Sequence, residues 1–152
     1  MGLPDHAAEF RVRSGPWSAP EIGEFLRDTV IPIRLATNGR FPLVQSVWFC
    51  LRDGDLWCAT QGESVLARRI RRDPHVGFEV SADAPPYLGV RGTGIAHLVP
   101  GHADSVLPEL LSRYGIETTS PLATWLLSRL DTEVAVRISE LVVTSWDYRA
   151  RM

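Results

Sequence analysis

The chain has 152 residues and a net charge of −2, with 45% hydrophobic and 22% charged residues, the profile of an ordinary compact domain. A chain of this length buries roughly 68–70% of its unfolded surface, so a core forms without metals or cross-links. The slight acidic balance argues against a nucleic-acid binder, and no apolar run approaches the ~20 residues that span a bilayer.

The N-terminus, MGLPDHAAEFRVR, lacks the apolar stretch of a signal peptide, so the expected location is cytoplasmic. Residues 1–17 show no clear period and read as an arm or an added edge segment. Ser18-Ala19-Pro20-Glu21 supplies a cap, a proline and a first-turn acid, and Ile22, Phe25 and Leu26 follow at helical spacing. That helix ends before Pro32. The period then changes: Ile33–Thr37 reads as a strand with Asn38-Gly39 as its turn. Leu43 to Leu51 reads as one long strand, apolar on much of both faces. Arg52-Asp53-Gly54-Asp55 is a hairpin signal, returning the chain as a strand from Asp55 to Thr60. With a two-residue turn, Cys50 lies opposite Trp57 and Cys58 opposite Phe49, so the two cysteines point to opposite faces and form no disulfide.

Ser64 to Arg72 reads as a helix closed by Asp73-Pro74. His75 to Val80 is a strand, 83–86 a proline-rich loop, and Tyr87 to Val99 a long strand. Gly89, Gly92 and Gly94 within it mark bulges or sharp coiling. His102 to Tyr114 is amphipathic through Leu107, Leu110, Leu111 and Tyr114. A further helix opens at Ser120-Pro121 with Leu122, Trp125, Leu126 and Leu130 on one side. Glu133 to Asp147 supplies the last one or two strands. No repeat or linker interrupts the chain, so residues 1–152 are expected to form one α+β unit. About six strands in antiparallel pairs carry three or four helices outside them.

All 16 basic residues are arginine. Lysine chemistry is therefore absent, and any bound anion rests on arginine, histidine, hydroxyls or backbone N–H groups. The stretch from Trp57 to Pro74 places a strand, the run Thr60-Gln61-Gly62-Glu63-Ser64, and a helix bearing Arg68, Arg69, Arg71 and Arg72 in succession. A helix N-terminus has unpaired N–H groups and partial positive charge, which suit a phosphate. The structural alternative is that Thr60 or Ser64 only caps the helix and the arginines face water. Leu66 and Ile70, four apart, mark its core side. His6, His75, His97 and His102 have no ligand spacing, so no metal site is expected. No nucleophile has a recognisable base, and Gly92-Thr93-Gly94 lacks the helix a nucleotide loop requires.

The resemblance runs through Leu35-Ala36-Thr37, Val47-Trp48-Phe49, Asp53-Gly54 and Thr60, then Arg68 to Val76. It continues through Pro85-Pro86-Tyr87, Val90-Arg91, Gly94 and Trp146-Asp147-Tyr148. In that order the chain resembles the pyridoxamine 5'-phosphate oxidase-like and flavin/deazaflavin oxidoreductase superfamily over roughly residues 20–148. The resemblance implies a mainly β (α+β) six-stranded antiparallel split β-barrel, a homodimer, and FMN or a deazaflavin between the subunits. It implies an oxidoreductase that moves a hydride to or from a small molecule, or else a non-catalytic flavin or haem binder. Val47 and Trp48 would run beside the isoalloxazine. Thr60, Gln61, Ser64, Arg68 and Arg69 would hold the phosphate, and Tyr87 and Trp146 would approach from the partner. Arg34 and Tyr87 are candidate substrate contacts. Many relatives carry a phosphate-binding lysine where this chain has Leu66, and asparagine where it has Arg69, so either Arg68 or Arg69 supplies the charge or the cofactor is bound differently. Losing one charged hydrogen bond costs about 1.5–3 kcal/mol, which Arg69 would restore.

Overall fold

The computed structural model describes residues 10–152. Its first strand, β1 (Arg11–Ser14), is the edge segment anticipated before the first helix; residues 1–9 of the expected arm lie outside the described residues. Helix α1 (Ala19–Asp28) starts at a capping box: the Ser18 hydroxyl accepts from the Glu21 N–H, and the Glu21 carboxylate accepts from the Ser18 N–H. Ile22 and Leu26 are fully buried. At its other end Arg113 donates to the carbonyls of Leu26, Arg27 and Thr29 at 2.7–3.0 Å, satisfying last-turn acceptors that would otherwise need water.

Strands β2 (Ile33–Thr37) and β3 (Leu43–Val47) form an antiparallel hairpin, and β4 (Cys50–Arg52) and β5 (Asp55–Gln61) form another. Asp53 and Gly54 both have positive φ (51° and 79°), as the two-residue turn requires. The long strand expected over Leu43–Leu51 is broken at Trp48-Phe49. Val47 still pairs with Ile33, but Cys50 pairs with Trp57. Between them the Phe49 N–H donates to the Tyr114 hydroxyl, which in turn donates to the Ile31 carbonyl, and the Trp48 ring stacks on Tyr114 at 5.2 Å. The ladder is exchanged for side-chain contacts at that point.

The rest of the sheet consists of β6 (His75–Ser81), β7 (Leu88–Val99) and β8 (Glu133–Asp147). The strand order is β3-β2-β6-β7-β8-β5-β4, with β1 parallel to β8 beyond this path. The two ends of that order, β3 and β4, are joined by only two residues, so Val47 and Cys50 can lie no more than about 10 Å apart. The sheet must therefore curl until its edges nearly meet, which makes it a half-barrel split along one seam. Counting β3 and β4 as one interrupted strand recovers the six expected strands; β1 is the addition, and its parallel pairing departs from the all-antiparallel expectation.

The curl is made by β7 and β8. Their register shifts between Thr93 and Ile95, and Glu140 takes a positive φ of 53°, the signs of a bulge. Before it β8 lies between β5 and β7; after it, between β1 and β7. Gly94 sits at the bend, where an added Cβ would fall 2.6 Å from Ile138 Cγ2 and 3.0 Å from the Ser139 carbonyl. Only glycine fits. The concave side holds the main core, with Leu35, Phe49, Leu56, Cys58, Leu66, Ile70, Phe78, Val90 and Ile138 among its members. Helix α2 (Val65–Arg72) packs into it through Leu66, Ala67 and Ile70. Helix α3 (Ala103–Arg113) covers the outer side of β5 through Val106 and Leu110. Helix α4 (Pro121–Ser128) is apolar over most of its surface yet buries only Ala123, leaving Leu122 and Trp125 exposed. Among the described residues no helix is long and apolar enough to cross a membrane.

Candidate functional site

The seam and the end of β5 bring two hollows side by side. The polar one, about 660 Å³, is lined by Thr60, Gln61, Gly62, Glu63, Ser64, Arg129 and Thr132. Here β5 ends and α2 begins. Ser64 is the N-cap: its hydroxyl oxygen accepts from the Ala67 N–H (3.1 Å) and from the Thr60 hydroxyl (2.8 Å). With both acceptor positions used, the Ser64 hydroxyl hydrogen remains free to donate. The N–H groups of Val65 and Leu66 begin the helix without intrahelical acceptors. Arg129 comes from the loop after α4; its guanidinium lies 4.4 Å from the centre of the Trp125 ring and makes no salt bridge among the described residues. An Arg71 nitrogen lies 3.8 Å from where a Cβ on Gly62 would stand. The Ser64 hydroxyl and the Arg129 guanidinium, with the start of α2 beside them, are donors suited to an anion such as phosphate, while the Glu63 carboxylate in the same lining opposes one.

The apolar hollow, about 310 Å³, lies next along the same face of β5. Its wall includes Val47, Trp48, Ala59, Leu110, Leu126 and Glu133. Ala59 and Gln61 are two apart on β5 and so share a face, placing the two hollows about 7 Å apart along the strand. Glu133 is the one charged side chain in this wall. Burial pushes its pKa up, while the Gln61 amide and the positive charge of Arg129 pull it down.

The residues singled out in the sequence divide into three groups. Val47, Trp48, Thr60, Gln61 and Ser64 line the paired hollows. Gln61 does so as a brace: its amide nitrogen donates to Glu133 and to the Arg129 carbonyl, and its amide oxygen accepts from Thr132. Arg68 and Arg69 stand apart from the polar hollow. Arg68 is exposed on α2, and Arg69 donates to the Phe41 carbonyl at 2.8 Å, where it tethers the β2–β3 turn. The cation at the junction is Arg129, with Arg71 behind Gly62. Leu66, where the resemblance implies a lysine, is only 1% exposed, inside the core. Tyr87 and Trp146 form the third group, at the opposite end of β8 from Glu133: Gly89 pairs with Trp146, and the Tyr87 carbonyl accepts from the Tyr148 N–H. Arg34 lies on the open sheet face, paired with Asp83 at 2.9 Å.

Arg129, Thr132 and Glu133 carried no signal in the sequence. They belong to a segment distant in the chain, which the pairing of Gln61 with Glu133 brings to the junction. Helical periodicity could mark the apolar side of α4 but not where the turn after it lands. Cys50 and Cys58 are free and lie in different core clusters; burial raises the Cys50 thiol to about 11 and pushes Cys58 up further, so neither is a nucleophile at neutral pH. Among the described residues no group of three metal-ligating side chains comes together.

No protein-family model matches the chain, and no curated protein matches it. Solved structures do. A conserved hypothetical protein from Mycobacterium tuberculosis is 29% identical, with 88% of this chain and 87% of that chain covered and a TM-score of 0.74. An F420 reductase is 24% identical over 79% of this chain and 94% of that chain, with a TM-score of 0.63. A FAD-binding protein from Mesorhizobium loti is 20% identical over 85% and 93% of the two chains, with a TM-score of 0.64. In fold, then, the chain is a curled, mainly antiparallel split barrel like these solved structures.

Proposed function

We propose that the chain binds FMN, or a deazaflavin of similar build, and serves as an oxidoreductase for a small molecule. The observation that carries this reading is the pairing of an anion-suited junction with an apolar hollow one strand step away. A flavin has the same two parts, a phosphate on a short polar chain and a flat ring. Ser64, the first N–H groups of α2 and Arg129 would hold the phosphate, and Trp48, Val47 and Ala59 would flank the ring. When bound, the flavin supplies the hydride chemistry; the protein supplies position, electrostatics and exclusion of water. The likeness to an F420 reductase supports the deazaflavin version of the same site.

A homodimer belongs to the proposal. The sheet face opposite the core carries Arg34, Ala36, Val44, Glu79, Arg91 and Thr93 and forms a hollow of about 640 Å³ that no helix among the described residues covers. Val44 is 63% exposed on it. A sheet with an apolar residue bare on its second face has surface to bury against a partner. A second copy seated there is the proposed source of the Tyr87 and Trp146 contacts.

The test is a titration of the purified protein with FMN and, separately, with a deazaflavin, followed by quenching of flavin fluorescence. Saturable binding of FMN supports the first version, and selective binding of the deazaflavin supports the second. Failure to bind either overturns the reading.

A further inference from the structure

Pro32, Ser46, Val47, Trp48, Ala59, Leu107, Leu110, Leu122 and Leu126 give the apolar hollow no charge; Glu133 alone brings one. Glu133 is half-buried, and the positive charge of Arg129 acts on it without a direct ion pair, so its carboxylate is held mainly by hydrogen bonding. Gln61 donates one amide N–H to Oε2 of Glu133 and is itself tied down by Thr132 and the Arg129 carbonyl. The carboxyl group is therefore held in one place, and no second donor to it is found among the described residues. Arg129 makes no salt bridge with it and lies over Trp125. A ligand entering the hollow meets a fixed acceptor with acceptor capacity to spare.

We propose that Glu133 is the specificity-determining residue of the apolar hollow, selecting ring ligands that present a cation or hydrogen-bond donor and rejecting those that present an anion. This rests on the reading of the hollow as a ring-binding cavity. Its volume, about 310 Å³, is at the small end of ligand pockets and takes an indole-sized ring or one part of a larger flat ring system. A protonated amine gains a charge-assisted hydrogen bond to Glu133, a hydroxyl gains a weaker one, and a carboxylate faces like charge at a half-buried wall. Gln61 acts through Glu133, as a positioning residue.

The experiment uses three indoles that differ only at the end of a short side chain: tryptamine, tryptophol and indole-3-propionate. Calorimetric titration of the wild-type chain at pH 7 is expected to rank them amine, alcohol, acid, with about tenfold or more between the first and the last. In Glu133→Gln the amine and the acid should converge to within about threefold, while the alcohol holds its wild-type affinity and so shows that the pocket is intact. An acid that binds as tightly as the amine, a ranking that survives Glu133→Gln, or no binding by any indole overturns the proposal. FMN titrated into the same samples separates the two readings. FMN binding with a flat indole series sinks only the role of Glu133, and a ranked series without FMN binding sinks only the flavin assignment.

Discussion

Leu66→Lys is expected to destabilise the fold by about 3 kcal/mol or more, read as a lowered midpoint in urea unfolding. The sequence resemblance implies a lysine at this position, so introducing one looks like a repair of the anion site. The structure argues the opposite. Leu66 is 1% exposed and belongs to the main core, on the side of α2 that also buries Ala67 and Ile70. A lysine there must either bury an ammonium group without a partner or lose its proton, and it also removes the packing of a leucine. Leu66→Met keeps volume and polarity and should cost under about 1.5 kcal/mol. A lysine variant as stable as wild type would show that α2 can rotate its second residue out to the junction, and would reopen that position as an anion ligand.

The second large effect is on binding. Arg129→Ala is expected to weaken FMN affinity by about tenfold or more, because one charge-assisted hydrogen bond is worth about 1.5–3 kcal/mol. Arg69→Ala should leave the affinity within about a factor of three, well under 1 kcal/mol, since its guanidinium is engaged with the Phe41 carbonyl on the β2–β3 turn. The pair of variants decides which arginine holds the cofactor's charge: loss of binding in Arg69→Ala with Arg129→Ala unaffected returns the role to α2. Fluorescence titration at fixed salt reads both, and the salt matters because exposed charges are screened.

Local signals carried most of the fold. The cap at Ser18, the Asp53-Gly54 turn, the α2 stripe of Leu66 and Ile70 and the bend at Gly94 each announce themselves by residue type and spacing, and each stands where expected. The break at Trp48-Phe49 was hidden because its cause is remote: Tyr114 supplies both the ring on which Trp48 stacks and the oxygen that takes the Phe49 N–H. The same limit applies to the site. Thr60, Gln61 and Ser64 are contiguous and could be read as a strand-to-helix junction. Arg129 and Glu133 reach that junction only through a strand pairing some seventy residues away in sequence, and no periodicity in either segment encodes it. Arg69 was a natural choice because α2 is dense in arginine, but side-chain direction on a helix is set by its angular position, and Arg69 faces the β2–β3 turn.

Strand β8 runs from Glu133, beside the paired hollows, to Trp146 at the far end of the sheet. In a two-fold assembly that unites those ends, each binding site is built from two chains, and damage at the two ends can be divided between them. Co-expression of Arg129→Ala chains with Trp146→Ala chains would then yield mixed pairs holding one doubly damaged site and one undamaged site. About a quarter of all sites should regain full affinity, as random pairing of two chain types dictates. A mixture that binds no better than its two parents would mean that each chain completes its own site.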